Sequence, residues 1–181
     1  QILHKESRLG QNKAVSAAKS LHGLNAQVHV QTYSQFMDGA HLRQVLPDYD
    51  IVIDATDKLE NKFLINDVCV SAEKPFVHGG ITGFSGQVMT YVPEKGPCYR
   101  CIFGEVPEDN APAPIPVIGV TAGIIGTIQA AEAIRYLLGI PSLLTGKLLV
   151  LDGLRMQFRT VPFPHVSEHC PLHTRKGVTD L

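Results

Sequence analysis

The sequence predicts an α/β fold, a Rossmann-like parallel sheet continued by antiparallel strands, with helices on both faces. Three observations carry this. The short apolar, β-branched runs in "DYDIVIDAT" and "KPFVHGG" read as buried parallel strands. Stretches of helical composition alternate with them, which is the order of βαβ units. Further along, "GQVMTYV" alternates apolar and polar residues, and "GKLLVLD" and "RMQFRTV" flank Gly153 as an antiparallel hairpin would.

In chain order, Lys13–Leu21 has helical composition and Gly23 is its stop. Ala26–Thr32 alternates and reads as a strand. Gly39–Val45 is a short helix closed by Pro47, and "DIVIDAT" is the next strand. Leu59–Ala72 carries Phe63, Leu64, Val68 and Val70 at spacings that suit an amphipathic helix. After the strand in "KPFVHGG" and the alternating "GQVMTYV" comes "PCYRC", then the proline-rich loop Glu105–Pro116. A long helix over Val120–Leu138 stops at Gly139 and Pro141. The hairpin and a charged tail complete the chain.

The 181 residues suit one domain able to bury a core without disulfide staples. Hydrophobic residues make up 44% and charged residues 18%, so the chain is globular. A net charge of -1 without basic runs argues against nucleic acid and membrane-surface partners. Four cysteines are too few for a secreted disulfide scaffold, and Gln1–Gly10 is polar with no leader-like core. The expected setting is cytoplasmic. Val117–Ala131 is uncharged but too short to span a bilayer, and its glycines fit a buried helix better. The opening "QILHKESRLGQNKA" reads like the middle of a longer sequence, so an N-terminal portion is expected to precede it.

Two cysteines, Cys98 and Cys101, share a C-x2-C spacing, and "HCPLH" places Cys170 and His173 at the same spacing downstream. Two such knuckles supply the four sulfur and nitrogen ligands that tetrahedral zinc takes, and would clip the tail to the body of the domain. A redox pair and an unmetallated remnant are the other readings. The redox reading needs a helix N-terminus next to the pair, where the sequence suggests Pro97 before it and a loop after it. His169 is an alternative ligand to His173. Cys69, outside the knuckles, reads as a buried structural cysteine. Asp57 lies just past the carboxyl end of the "IVIDAT" strand. It could hold Mg2+ against a triphosphate or cap the helix that follows. Asp54, within the strand, reads as structural. Lys13 opens a helix, where a cation and the helix N-terminus could meet phosphate oxygens.

Taken together, "QILHKESRLGQNKA", "DIVIDATDKLENKFLIND", "GGITGFSGQV", "PCYRCIF", "GVTAGIIGTIQAAEAIRYLLG" and "GKLLVLDGLRMQFR" resemble the ThiF/MoeB/HesA family of ubiquitin-activating-enzyme-like adenylyltransferases. The resemblance covers nearly the whole chain. It implies a single adenylating domain over residues 1–181, lacking the family's N-terminal glycine-rich βαβ part, with the zinc knuckles inside 98–173. It gives Lys13 the catalytic lysine's role and Asp57 the metal-binding aspartate's, with Lys58 beside them at the nucleotide and Cys98, Cys101, Cys170 and His173 on zinc. The reaction implied is ATP-dependent adenylation of the C-terminal glycine of a ubiquitin-like sulfur-carrier protein. It would serve thiamine, molybdopterin or related sulfur-transfer biosynthesis, with ATP, Mg2+ and Zn2+ as cofactors.

The implied partners are a carrier ending in Gly-Gly, whose extended tail the glycine-rich turns would admit, and a second copy of the chain in a homodimer. The small-residue face Gly119, Gly123, Thr127 suits close packing in that dimer. Adenylation of a small-molecule or tRNA-linked carboxylate, or a carrier-binding fragment without catalysis, are the alternatives. The chain departs from the family pattern in four places. The phosphate loop, ribose-binding aspartate and motif arginine would lie upstream of Gln1. Lys58 stands where an asparagine is expected, and Lys62 replaces an arginine. The loop Gly104–Ile118 has no cysteine, which favours adenylation alone over covalent sulfur transfer. His173 replaces the fourth cysteine.

Overall fold

Val52–Asp54 (β1), Phe76–Thr82 (β2), Ser85–Tyr91 (β3), Lys147–Asp152 (β4) and Gln157–Pro162 (β5) form one sheet whose spatial order is the chain order. The computed structural model describes residues 3–106 and 116–173. Strands β1 and β2 are parallel, with Asp54 opposite His78, and every later pairing is antiparallel. Most of the proline-rich loop Glu105–Pro116 and all of the tail beyond His173 lie outside the described residues.

Helices cover both faces. On one face lie Gly39–Val45 (α2), Leu59–Ser71 (α3) and Tyr99–Phe103 (α4), around a core built on Phe63, Val68, Phe76, Met89 and Leu148. On the other lies Gly119–Leu137 (α5), whose Ile125 and Ala133 meet Val77, Val88 and Leu151. The first helix, Lys13–Leu24 (α1), starts at the N-cap Asn12. The alternation of β2 sorts its side chains cleanly. Phe76 and His78 face α3 and α4, while Val77 and Gly79 face α5.

Helix α5 is not the fully buried helix its sequence suggests. One side is sunk in the core, and Val120, Ile134, Leu137 and Leu138 on the other are exposed. Among the described residues no helix is long and apolar enough to cross a membrane. Its buried side carries polar anchors. Glu132 accepts hydrogen bonds from the Thr90 hydroxyl at 2.6 Å, the Leu144 N–H at 2.7 Å and Arg135 at 2.6 Å. A buried carboxylate with three donors is satisfied and ties α5 to β3.

Three expectations need correcting. Helix α1 runs through Gly23 to Leu24 instead of stopping before it. Ala26–Thr32 forms no strand, because its alternation finds no partner. Strand β1 pairs only with β2 among the described residues, and an extended segment without a ladder leaves its backbone groups to water. The parallel part of the sheet is therefore one pair. The loop expected after the Cys98–Cys101 pair also begins later, because the pair sits on a short helix whose N-cap is Cys98, so a helix N-terminus does adjoin it. Tyr99–Phe103 is a helical turn, with the Asn66 side chain accepting from the Tyr99 N–H at 2.8 Å.

The glycines of β2 serve packing rather than access. A methyl group on Gly79 would run into the Gln129 amide. That amide donates to the Asp54 carbonyl at 2.7 Å and to the Val77 carbonyl at 3.3 Å, bridging β1 and β2. Gly79→Ala is expected to cost about 1–3 kcal/mol in urea unfolding, as overpacking does. An unchanged midpoint would mean that Gln129 swings away at no cost.

Candidate functional site

Two constellations stand out, one of sulfur and one of buried charge. The first gathers Cys98, Cys101, Cys170 and His173, whose ligand atoms all lie within 4.8 Å of one another. Helix α4 creates half of it. Cys98 is its N-cap and Cys101 its third residue, so one short turn aims both sulfurs the same way. Cys170 and His173 come from a turn closed by the bond from the His173 N–H to the Cys170 carbonyl at 3.1 Å.

The sulfur distances decide what this cluster can be. Cys98 Sγ lies 3.7 Å from Cys101 Sγ and 3.7 Å from Cys170 Sγ. A disulfide needs about 2.05 Å. A tetrahedron with metal–sulfur bonds of about 2.3 Å has edges of about 3.8 Å. The His173 Nε2 atom is buried with no hydrogen-bond partner, a position that a bound cation satisfies. The four residues therefore fit a metal ion. His169 is exposed and lies outside the cluster, so of the two histidines only His173 is placed to serve as a nitrogen ligand. Without an ion, Cys98 and Cys101 share a proton. The bond from Cys98 pulls Cys101 down to about 5, while the same bond and burial push Cys98 up.

The second constellation lies under the carboxyl end of β1. The parallel register sets Asp54 beside His78, and His78 Nδ1 is 2.8 Å from Asp54 Oδ2. Lys62, from α3, brings its Nζ to 3.4 Å from the same oxygen and donates to the Gly79 carbonyl at 2.8 Å. The other oxygen, Oδ1, accepts from the Thr56 N–H at 3.0 Å and the Thr56 hydroxyl at 2.7 Å. Asp54 is 2% exposed and His78 0%, so this charge cluster is enclosed.

Its ionisation follows from the partners. Burial pushes the Asp54 carboxyl up, but the bonds from His78 and Thr56 and the charge of Lys62 outweigh it and hold the carboxyl below its usual range. Burial pulls the His78 imidazole down, against the bond to Asp54, and pulls the Lys62 ammonium down as well. The balanced state is Asp54 carboxylate, Lys62 ammonium and neutral His78. His78 then donates from Nδ1, and its Nε2 accepts from Gln87 at 3.4 Å.

The nucleotide-facing candidates are placed as follows. Asp57 is exposed on the bend between β1 and α3, and its charge reaches Lys62. It does not cap α3, whose N-cap is Lys58 with no side-chain capping bond. Lys58 is exposed. Lys13 is exposed at the first position of α1 and forms no hydrogen bond or ion pair among the described residues. The Asn12 side chain already takes the Ala14 and Val15 N–H groups at 2.9 and 3.3 Å, so these two amides of the helix start are spoken for. No interaction among the described residues joins Lys13 to Asp57. Cys69 is buried, with burial raising its thiol to about 12, as an inert structural cysteine should be.

Sequence reasoning missed His78, Gln129 and Tyr99. The Tyr99 ring lies 4.6 Å from that of His78 and 4.4 Å from that of Phe103, closing the cluster over. A signal for His78 was present, since it is the one polar side chain in the apolar run "PFVHGG".

A family model described as the ThiF family matches residues 1–172. The chain belongs to the ThiF family. The SAMP-activating enzyme E1 of Haloferax volcanii is 40% identical to this ThiF-family chain over 187 residues, covering 100% of it and 67% of the relative. The adenylyltransferase and sulfurtransferase MOCS3 of Drosophila persimilis is 36% identical over 183 residues, covering 96% of the chain but 41% of that protein. Among solved structures, E. coli MccB with ATP has a TM-score of 0.81 at 22% identity, covering 95% of the chain and 53% of MccB. At that identity the likeness shows a shared fold.

Proposed function

We propose that this ThiF-family chain adenylates the C-terminal glycine carboxylate of a small ubiquitin-like sulfur-carrier protein, feeding thiamine, molybdopterin or related sulfur-transfer biosynthesis. The observation that carries the reading is the Thr56–Asp57 turn, which offers an exposed carboxylate just past the carboxyl end of a parallel strand. Ligands of open α/β sheets bind at that edge. The relatives' printed activities support it, because one activates SAMP and the other is an adenylyltransferase. MccB, of the same fold, is known with ATP.

In this reading the carrier's carboxylate oxygen attacks the α-phosphorus of ATP. The bond to the bridging oxygen breaks, and acyl adenylate and pyrophosphate result. Lys13 stabilises the charge that builds on the α-phosphate oxygens, and its lack of a partner among the described residues leaves the ammonium available to them. Asp57 holds Mg2+, which screens the triphosphate when bound. One exposed carboxylate fits an ion that keeps several waters and phosphate oxygens. Lys58 adds backbone contacts to the nucleotide. Cys98, Cys101, Cys170 and His173 hold Zn2+ in a structural role, since all four positions of the tetrahedron are protein ligands. The exposed side of α5, with Val120, Ile134, Leu137 and the small residues Gly119, Gly123 and Thr127, suits a homodimer.

ATP–pyrophosphate exchange tests the proposal. Exchange is expected only with a carrier ending in Gly-Gly, and not with one shortened by its last residue. Asp57→Ala and Lys13→Ala are each expected to lower it at least about a hundredfold, the scale of one lost transition-state contact. Full exchange in either variant removes that residue from the mechanism. Exchange with a free peptide carboxylate and no carrier would favour an MccB-like substrate instead.

A further inference from the structure

We propose that Asp54 and His78 are positioning residues for the reaction, a buried pair that sets the turn presenting Asp57. The inference rests on the reading of Asp57 as the residue that meets the metal–triphosphate.

Asp54 is held at every polar atom it has on that side of the sheet. Its Oδ1 takes both Thr56 donors, at 3.0 and 2.7 Å, which folds the chain back at the end of β1 directly before Asp57. Its Oδ2 takes His78 Nδ1 at 2.8 Å and faces Lys62 at 3.4 Å. Its backbone carbonyl takes Gln129 at 2.7 Å, from the opposite face. A carboxylate fixed on both oxygens has one orientation, and so does the turn that hangs from it.

His78 fixes that orientation in turn because its own ring cannot move. It is 0% exposed, packed 4.6 Å from the Tyr99 ring and 6.2 Å from the Phe103 ring, with Gln87 at its far nitrogen. Tyr99 stands in α4 between Cys98 and Cys101, so the wall behind His78 is the same helical turn that carries half of the sulfur cluster. A chain of contacts thus runs from the sulfur cluster through Tyr99, His78, Asp54 and Thr56 to Asp57. A carboxylate aimed in advance loses less freedom when it meets its cation, so the pair raises affinity at Asp57 without touching the ligand.

The test measures Mn2+ bound together with ATP, read from the free Mn2+ signal in electron paramagnetic resonance, with a melting curve for each variant. His78→Leu removes the donor to Asp54, whereas His78→Asn keeps an N–H where Nδ1 stood. Thr56→Val removes the hydroxyl donor, and Thr56→Ser restores it. His78→Leu and Thr56→Val are expected to weaken Mn2+ binding about tenfold, the worth of one hydrogen bond to a charged group. His78→Asn and Thr56→Ser are expected to stay within about threefold of the parent, since each keeps the donor.

If His78→Leu and Thr56→Val melt earlier but bind Mn2+ and ATP as the parent does, the network is structural only and the proposal fails. Should His78→Leu not fold, Thr56→Val against Thr56→Ser decides alone, since Thr56 lies on the half-buried turn. Asp57→Asn separates the two layers. If it binds Mn2+ like the parent, the reading of Asp57 is wrong. If it loses Mn2+ while Thr56→Val does not, only the positioning role falls.

Discussion

With a metal held as proposed by Cys98, Cys101, Cys170 and His173, its removal by a strong chelator is expected to lower the melting temperature by about 10 °C or more. The expectation follows from how little else holds this region. After β5 the chain is tied by the Phe163 N–H to the Gly146 carbonyl at 2.7 Å and by the insertion of Cys170 into the core. Phe163 and Leu172 pack against the same core from its edge, and the sulfur cluster gathers the last turn beside them. Structural zinc contributes about 10–16 kcal/mol in small peptides. If a third of that is realised here, the loss is about 4 kcal/mol, and a domain of this size shifts about 2–4 °C per kcal/mol.

Cys170→Ala should reproduce the chelator's effect, and chelation should add nothing further to it. His173→Cys should retain most of the stability, because four thiolates are an equally good tetrahedral set. Metal analysis by mass spectrometry completes the test. A chain with well under about half an ion, whose melting curve ignores the chelator, would leave the four residues without a metal role.

The fold and the sulfur cluster were legible for different reasons. The strands "IVID" and "PFVHGG" could be read from their short apolar runs and "LLVLD" from the hairpin pattern around Gly153, and the long helix from its local stop. Gly139 follows the end of α5 where its stop signal put it, whereas Gly23 lies inside α1. The paired knuckles were legible because a tetrahedral ion constrains spacing in sequence as well as in space.

What failed were features that depend on a partner. Ala26–Thr32 has the pattern of a strand, but a strand exists only where a neighbour supplies its ladder. Helix α4 was hidden because five residues are too few to show a period. It is held by tertiary bonds, the Asn66 cap and the ion pair of Arg100 with Asp67 at 2.7 Å. Lys62 showed itself only as an unexpected residue type. Its function, charge balance for Asp54, appears when α3 packs against β1. His78 and Gln129 act through bonds across 24 and 75 residues of sequence, which no local pattern records.

Asp54→Ala should be the most destabilising single change in the β1 region, costing about 3–5 kcal/mol, the usual result of leaving a buried charge without its partner. Removing the carboxylate strands Lys62, which is 9% exposed, and frees the Thr56 donors together with His78 Nδ1. Replacing Asp54, Lys62 and His78 together by apolar residues of similar size should recover much of the loss, since no charge is then left unpaired. The pH dependence separates this account from a simple cavity. The folded-state pKa of Asp54 lies below the unfolded value of about 3.9, so its contribution is complete above that pH and is lost as pH falls through the lower folded value. His78 behaves with the same sign. Its depressed pKa means that acidification below about 6.5 protonates the unfolded chain first and takes stability from the parent, and from Asp54→Ala at least as much, because the bond and charge that hold the imidazole up are gone there. The stability gap between parent and Asp54→Ala should therefore hold or widen from pH 7 to about 4 and narrow only below that. A gap that stays constant down to pH 2 would mean that the Asp54 side chain contributes packing, and that its charge is not what holds the turn beneath Asp57.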